Sequence, residues 1–347
     1  MKKRPLVSIL IPNYNYARYL EHCFESILAQ TYTNYEVIFR DNASTDNSYE
    51  IALKYQKKFE KKGIYCSVIR NKRNIGSNAN SFLCEREEHG EIRYFLASDD
   101  AIAPTFLERT VDIFERYPSV GLVMVNREEL DDDNNIHKIA PFYNKDCVIP
   151  AESQAAVFMM AGIAIPCQRI CRVGIELRSK KMMRSLQVAG DWFYNFFSVC
   201  VHDAAYLTDS LCQYRVHGGN ETNESEKQLV GVMEHYQLIN YFAGMARNVG
   251  FYKAAARRDE AVKKLASMCI RYAVKMFFNG LYDIAAKYLA MAPAFDRTIL
   301  ENQDYVKAKI VLDSPETCRK QLAKELLGAY LTERKRSYDP PEDAILI

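Results

Sequence analysis

The chain has 347 residues, of which 48% are hydrophobic and 26% are charged, and its formal net charge is +2 at pH 7. This length accommodates one large α/β domain with an extension, or two domains. The near balance of charge argues against a dedicated nucleic-acid-binding protein, which usually carries a strong basic excess. Ten cysteines are scattered without a CxxC pair, so we predict free thiols and a cytoplasmic chain.

Strand and helix patterns alternate through the first half of the chain. Near-continuous apolar runs predict strands at residues 6–11, 35–39, 65–69, 92–97 and 121–126, as is typical of strands covered on both faces. Apolar residues at helical spacing predict helices at 19–28, 46–60, 77–86 and from Pro104 onward. This alternation predicts a mostly parallel sheet, flanked by helices, with right-handed crossovers.

The pattern changes after residue 127. Residues 131–135 predict the polar tip of a hairpin whose acids are simply solvated, and the segment 155–167 is apolar but too short to span a bilayer. From residue 226 onward only helical patterns remain, with no strand candidate. We therefore predict a domain at 1–225 and a helical C-terminal region at 226–347.

The C-terminal region is locally basic. Its cationic side chains form either a solvated helix face or a contact with a lipid surface. The residues concerned are Arg257, Arg258, Lys263, Lys264, Arg271 and Lys275.

An apolar strand at residues 92–97 runs almost directly into two adjacent carboxylates, Asp99 and Asp100. In open α/β sheets, ligands bind at the carboxyl ends of the strands. Two neighbouring like charges repel, and a divalent cation with oxygen ligands relieves that repulsion. A solvated Asp-Asp turn ahead of the next helix is the alternative that this segment alone leaves open.

Polar groups also follow the other predicted strands, with Asn13 after the first, Asp41 after the second and Arg73 after the third. In a parallel sheet these ends line one edge and could converge on one ligand. A nucleoside diphosphate has an imide N–H for a carboxylate such as Asp41 and phosphates for a metal at Asp99 or Asp100. GxGxxG, GxxxxGK[ST] and GxSxG are absent from the sequence, which argues against a dinucleotide fold, a P-loop NTPase and an α/β-hydrolase.

Four segments in this order resemble the family 2 glycosyltransferases: residues 7–15, 41–48, 74–76 and 98–100. The resemblance covers roughly residues 5–220 and implies a GT-A fold, the Rossmann-like nucleotide-diphospho-sugar transferase architecture, with an all-α C-terminal extension. Members of this family are inverting, metal-dependent transferases with nucleotide-sugar donors. The implied donor-binding residues are Pro12, Asn13, Tyr14, Asp41, Arg73 and Asp99.

The resemblance also implies a divalent metal, Mn²⁺ or Mg²⁺, held by Asp100, Asp99 and His217. His217 belongs to a Tyr-Arg-x-His segment in which Arg215 is a candidate phosphate partner, although a histidine beside two glycines is also an ordinary loop residue. Many relatives carry a further Asp two residues before the position of Asp99, where this chain has Ala97. The departure leaves fewer acids for the metal.

Residues 189–193 look like the family segment that carries the catalytic carboxylate, here Asp191. An inverting transfer needs one base to take the proton of the acceptor hydroxyl. The other interpretation is that Asp191 only caps the helix that follows, and one residue can do both.

The sequence thus predicts an inverting glycosyltransferase acting in polysaccharide or cell-surface glycan synthesis. The donor is a UDP-sugar, with dTDP- and GDP-sugars as alternatives, and the acceptor is a hydroxyl of a glycan or a lipid-linked molecule. The C-terminal helices are candidates for acceptor binding, for peripheral contact with the inner face of the membrane and for homo-oligomer formation.

Two other functions compete with this prediction. A non-catalytic scaffold that binds sugar nucleotides on the same fold is the first, because fold does not fix function. A nucleotidyltransferase is the second, and the absence of glycine from residues 7–20 argues against it.

Overall fold

The computed structural model describes residues 4–174, 186–217, 226–328, 330 and 337–347. The described residues form a mixed eleven-stranded sheet in the order β11-β8-β10-β6-β9-β4-β1-β2-β3, with β5 added on β10 and β7 on β6. The strands are β1 Val7–Asn13, β2 Tyr35–Asp41, β3 Cys66–Arg70, β4 Ile92–Phe95, β5 Ala101–Ile102, β6 Val120–Leu130, β7 Ile136–Lys138, β8 Cys147–Ile149, β9 Arg169–Arg172, β10 Asp203–Arg215 and β11 Ile345–Leu346.

Helices cover both faces of the sheet and continue beyond it. They are α1 Ala17–Leu28, α2 Ser48–Lys61, α3 Ser77–Glu85, α4 Phe106–Arg116, α5 Ala151–Met160, α6 Gly190–Val199, α7 Val230–Asn248, α8 Tyr252–Ala256, α9 Arg258–Phe278, α10 Tyr282–Phe295, α11 Gln303–Asp313 and α12 Glu316–Leu327. Among the residues that the structure describes, no helix combines the length and the apolar character needed to cross a membrane.

The predicted parallel alternation is confirmed for β1, β2, β3 and β4, which pair in parallel. Side chains alternate between the two faces of these strands. Ile9 therefore joins the core beneath α1, α2 and α4, whereas Leu10 joins a smaller core beneath α3. Because the four strands run in the same direction, their carboxyl ends all lie at one edge of the sheet.

A strand absent from the sequence predictions, β9, lies between β4 and β6 and runs antiparallel to both. Tyr94 of β4 pairs with Ile170 of β9. Because the pairing is antiparallel, Arg169, the residue before Ile170, lies beside the carboxyl end of β4. This insertion brings a cation to the edge where β1, β2 and β4 end.

The C-terminal region is packed against the rest of the protein. Phe242 of α7 stacks face to face on Phe196 of α6, with ring centroids 4.0 Å apart and an interplanar angle of 6°. The helices α9 to α12 have an additional core of their own. The basic side chains Arg257, Arg258 and Lys264 each donate hydrogen bonds to groups of this chain, which favours an intramolecular role for them.

The C-terminal region is helical over most of its described residues, as predicted, but its last residues also contribute a strand. β11 pairs antiparallel with β8, and Tyr338 donates its backbone N–H to the Phe142 carbonyl at 2.7 Å. A two-residue strand is too short to leave a periodic pattern, so only its pairing with β8 identifies it. The C-terminal tail is thus part of the central sheet.

Candidate active site

At the ends of β1 and β2, Asn13 and Asp41 are partners in the strand register. Asn13 Nδ2 donates to Asp41 Oδ1 at 3.1 Å, and Ser44 N donates to Asp41 Oδ2 at 3.0 Å. Arg70 Nε lies 3.4 Å from the same Oδ2, and the Asp41 side chain is fully buried. Asn13 Oδ1 is also buried and has no hydrogen-bond partner among the described residues. The predicted pair therefore does meet, and it retains one unused acceptor.

Next to this pair, Tyr14 is 41% exposed and Pro12 is partly exposed. Asn15 and Ala43 both adopt left-handed backbone conformations, with φ values of 58° and 61°. Asn15 Oδ1 accepts a hydrogen bond from Thr45 N at 2.8 Å, which ties the loop after β1 to the loop after β2. The two loops are thereby joined beside the exposed Tyr14 ring.

A network of asparagines shapes the loop that follows β3. Asn42 Nδ2 donates to Asn74 Oδ1 at 2.9 Å, and Asn71 Nδ2 donates to Asn42 Oδ1 at 3.0 Å and to Asn80 Oδ1 at 2.8 Å. Arg73 lies on this loop and is exposed. Its position beside the ends of β2 and β3 leaves it accessible to an anionic ligand.

The predicted carboxylate pair lies in the turn between β4 and β5, where Asp99 and Asp100 have different surroundings. Asp99 Oδ2 lies 3.1 Å from His217 Nε2. Asp100 Oδ1 accepts the backbone N–H of Arg215 at 2.9 Å, and this side chain faces the interior. Burial, and next the charge of Asp99, raise the pKa of the Asp100 carboxyl, although the Arg215 N–H opposes them.

The expectation that Arg215 pairs with a phosphate is wrong. Its side chain is only 1% exposed, Nε donates to the Asp99 carbonyl at 2.9 Å, and Nη1 donates to the Asp131 carbonyl at 2.8 Å. The guanidinium also lies over the Tyr19 ring, 4.7 Å from its centroid. Arg215 therefore holds the acidic turn in place, and the adjacent carbonyls use its donors.

The predicted hairpin tip is confirmed, since β6 pairs with β7, but its acids are not simply solvated. Asp131 accepts hydrogen bonds from Asp133 N and Asn135 N, at 2.9 and 2.8 Å. Asp132 accepts the Tyr19 hydroxyl at 2.7 Å. The tip is therefore docked on α1, next to the acidic turn.

The three residues assigned to the metal do not assemble as a set. Within the described parts of the chain, no group of three or more His, Cys, Asp and Glu side chains is arranged to hold a metal ion. The physical reason is that Asp100 turns inward to the Arg215 N–H. Asp99 Oδ2 and His217 Nε2 remain as a pair, 3.1 Å apart. The two atoms are within hydrogen-bond distance of each other, and a carboxylate oxygen and an imidazole nitrogen are the groups that would hold a divalent ion here.

Asp191 is the second residue of α6 and is held by Arg169 of β9. Arg169 Nη2 donates to Asp191 Oδ1 at 3.2 Å, and Nη1 donates to the Asp191 carbonyl at 2.8 Å and to Asn195 Oδ1 at 2.7 Å. The Asp191 side chain remains 45% exposed. Its crowded surroundings raise the pKa of the carboxyl, and the charge of Arg169 opposes the increase. Because Arg169 lies beside the carboxyl end of β4, Asp191 belongs to the same edge of the sheet as Asp99.

The segment before Asp191 has anchors from two other elements. Asn78 Nδ2 of α3 donates to the Leu186 carbonyl at 2.8 Å. Glu234 of α7 accepts the backbone N–H groups of residues 187–189. Sequence reasoning missed both Arg169 and Glu234, because neither lies in a motif or near Asp191 in the chain. No local signal could have identified them.

Known proteins are similar to this chain in sequence and in fold. Residues 8–164 match the family model described as Glycosyl transferase family 2, so this segment is a glycosyltransferase domain of that family. An uncharacterized glycosyltransferase from Nostoc sp. is 27% identical over 252 residues, which cover 68% of this chain and 75% of that protein.

Two solved structures are similar in fold. Staphylococcus aureus TarS 1–349 in complex with UDP-GlcNAc has a TM-score of 0.56 at 14% identity, covering 98% of this chain and 96% of that one. The mannosyltransferase PcManGT from Pyrobaculum calidifontis, in complex with GDP-Man and Mn²⁺, has a TM-score of 0.54 at 16% identity, covering 95% and 87%. The predicted GT-A fold is confirmed, and the chain is a glycosyltransferase.

Proposed function

We propose that this chain transfers a sugar, with inversion, from a UDP-sugar to a hydroxyl of a glycan or of a lipid-linked acceptor. The observation that carries the proposal is one sheet edge with two separate polar sites. Asn13, Asp41 and the Asp99–His217 pair belong to the first, and Asp191 on Arg169 belongs to the second. An inverting transferase needs this separation, because the hydroxyl attacks the anomeric carbon from the side opposite to the departing nucleotide.

The nucleotide would occupy the ends of β1, β2 and β4. Asn13 Oδ1 is a buried acceptor without a partner among the described residues, and a buried polar atom that lacks a partner costs free energy. An imide N–H of a nucleobase would satisfy it. Tyr14 offers an exposed ring beside it for stacking, and Arg73 offers a cation for the phosphates.

Asp99 and His217 are the residues that would hold a divalent ion. Mg²⁺ and Mn²⁺ commonly bind to one or two protein ligands and complete their coordination with substrate phosphates and water. Such an ion, when bound, neutralises the charge that develops on the departing diphosphate. Asp99 with His217 supplies two protein ligands of the kind that this mode of binding needs.

Asp191 is the proposed general base, which accepts the proton of the acceptor hydroxyl as the oxygen attacks. A general base works best when its pKa lies near the working pH, so a raised carboxyl pKa favours this role. The crowded surroundings raise the pKa of Asp191 in that direction, while the charge of Arg169 limits the rise. Arg169 also fixes the orientation of the side chain through its bonds to both the backbone and Oδ1.

The solved relatives support a nucleotide-sugar donor, since one was determined with UDP-GlcNAc and the other with GDP-Man and Mn²⁺. We assign the domain of residues 1–225 to the donor and the transfer step. For the helices of residues 226–347 we propose acceptor binding, peripheral contact with the inner face of the membrane or pairing of two copies of the chain. We propose a cytoplasmic location for the protein.

A panel of nucleotide sugars tests the proposed function. Purified protein is incubated with UDP-, dTDP- and GDP-sugars, with Mn²⁺, with Mg²⁺ or with EDTA, and the release of nucleoside diphosphate is measured. We expect one UDP-sugar to be turned over and EDTA to abolish the turnover. Binding of UDP without turnover on any acceptor would instead support the non-catalytic scaffold, and no response to any donor would contradict both.

A further inference from the structure

We infer that Glu234, in the C-terminal helical region, is a positioning residue for the transfer step because it fixes the backbone from which Asp191 projects. The inference rests on the proposed role of Asp191. Glu234 lies on α7 and accepts three consecutive backbone N–H groups. Oε1 accepts Gln187 N at 2.5 Å, and Oε2 accepts Val188 N at 3.0 Å and Ala189 N at 2.9 Å.

These hydrogen bonds provide donors for the buried Glu234 carboxylate and an acceptor for the backbone N–H groups just before α6. Glu234 is 7% exposed, so its carboxylate relies on these hydrogen bonds to offset its lost hydration. Residues 187–189 immediately precede α6, and N–H groups at the start of a helix have no partner within it. The positive end of the α6 dipole adds to the attraction for the carboxylate. Hydrogen bonds to a charged acceptor are shorter and stronger than those between neutral groups.

Glu234 accepts a hydrogen bond from Ala189, two residues before Asp191, and aromatic side chains pack its helix, α7, against α6. The Phe242 and Phe196 rings stack at 4.0 Å and join α7 to α6. Trp192, the neighbour of Asp191, is buried and has its ring 4.7 Å from the His235 ring, next to Glu234 in the chain. A shift of α7 would therefore shift the backbone of residues 187–191.

The other anchors on this segment make the role of Glu234 specific. Asn78 holds the Leu186 carbonyl and Arg169 holds the Asp191 carbonyl, each at 2.8 Å. Both of these contacts restrain carbonyl oxygens, whereas Glu234 restrains the N–H groups between them. The C-terminal helices thereby contribute directly to the geometry of the proposed base.

The test compares Glu234→Gln with Glu234→Asp and with the control Glu316→Gln, an exposed position in the first turn of α12. The glutamine keeps the size of the side chain but turns one acceptor oxygen into an NH₂ group that cannot accept. Because a displacement of about 1 Å can cost about 100-fold in rate, we expect Glu234→Gln to lower kcat by about 10- to 100-fold. Donor KM and the Kd for UDP stay within about twofold, because the donor site is on other elements. Glu234→Asp, which keeps both oxygens, recovers part of kcat.

Hydrogen–deuterium exchange of a peptide covering residues 186–192 provides a readout independent of activity. We expect faster exchange at 187–189 in Glu234→Gln and no change in Glu316→Gln. Wild-type kcat in Glu234→Gln, or a joint loss of kcat, UDP binding and thermal stability, would overturn the inference. If the wild type transfers no sugar, the proposed function fails by itself. Unchanged protection of 187–189 in Glu234→Gln would then still refute the restraint of this backbone by Glu234, and locally lost protection would support that restraint.

Discussion

Asp191→Asn is the most direct perturbation of the proposed chemistry. The substitution changes one carboxylate oxygen to an amide nitrogen and leaves the other oxygen available. Arg169 Nη2 donates to a single oxygen, Oδ1, and its second contact is with the Asp191 carbonyl, which the substitution does not touch. The asparagine therefore keeps the local hydrogen bonds but cannot accept a proton.

The expected loss follows from this geometry. General-base catalysis contributes about 10²- to 10⁴-fold, which corresponds to about 3 to 5 kcal/mol in the activation free energy. The asparagine can still accept the bond from Arg169 but loses the ion pair with it. Because the side chain is 45% exposed, we expect the fold to persist, and thermal denaturation measures the change in stability separately from the change in rate. The whole effect should appear in kcat, with donor KM unchanged within about twofold.

The assay measures initial rates of nucleotide release at saturating acceptor, together with the Kd for UDP by calorimetry. Asp112→Asn is the matched control, since that carboxylate is 50% exposed on α4 and pairs only with Arg116 in the contacts described. Asp191→Asn with kcat within about threefold of the wild type would refute the role of Asp191 as base. A parallel loss of UDP binding would instead place Asp191 in the donor site.

Two further predictions concern the surroundings of Asp191. Arg169→Met should move the acidic limb of the pH–rate profile to higher pH, because Arg169 lowers the pKa of Asp191 and the base must be ionised to act; a limb that stays or moves to lower pH contradicts this. Phe242→Ala should lower the free energy of unfolding by about 3 to 5 kcal/mol in urea denaturation, since this buried ring stacks on Phe196. Met233→Ala, at a 53% exposed position of the same helix, should change it by less than about 0.5 kcal/mol, and equal effects would contradict the packing argument.

The local patterns of the sequence were sufficient for the parallel half of the sheet. Each of β1, β2 and β4 combines an apolar run with a polar group just beyond its end, and Asn13 does meet Asp41. Such runs identify strands because a strand covered on both faces must be apolar at every position. The antiparallel β9 carries two arginines in four residues, so its sequence has no comparable signature.

Some features of the candidate site could likewise be predicted from the sequence, and others could not. Asp99, Asp100 and Asp191 are recognisable because they occupy motif positions beside strand or helix ends. The different surroundings of Asp99 and Asp100 are not recognisable, because the separation depends on Arg215 and His217, more than 100 residues later in the chain. The phosphate role predicted for Arg215 was mistaken for the same reason. Arg215 is buried against Tyr19 and the carbonyls of Asp99 and Asp131, which lie far from it in the chain.

By itself, the sequence determined the class of fold, the edge of the sheet where the proposed site lies and the carboxylates available there. These features follow from hydrophobic periodicity and from the order of short motifs, which act over a few residues. Only the tertiary structure decided which acid faces His217, which cation holds Asp191, and that Glu234 of the helical region holds the segment before it. Such contacts join residues 22 to 118 positions apart, and only the packed chain brings those residues within hydrogen-bonding distance.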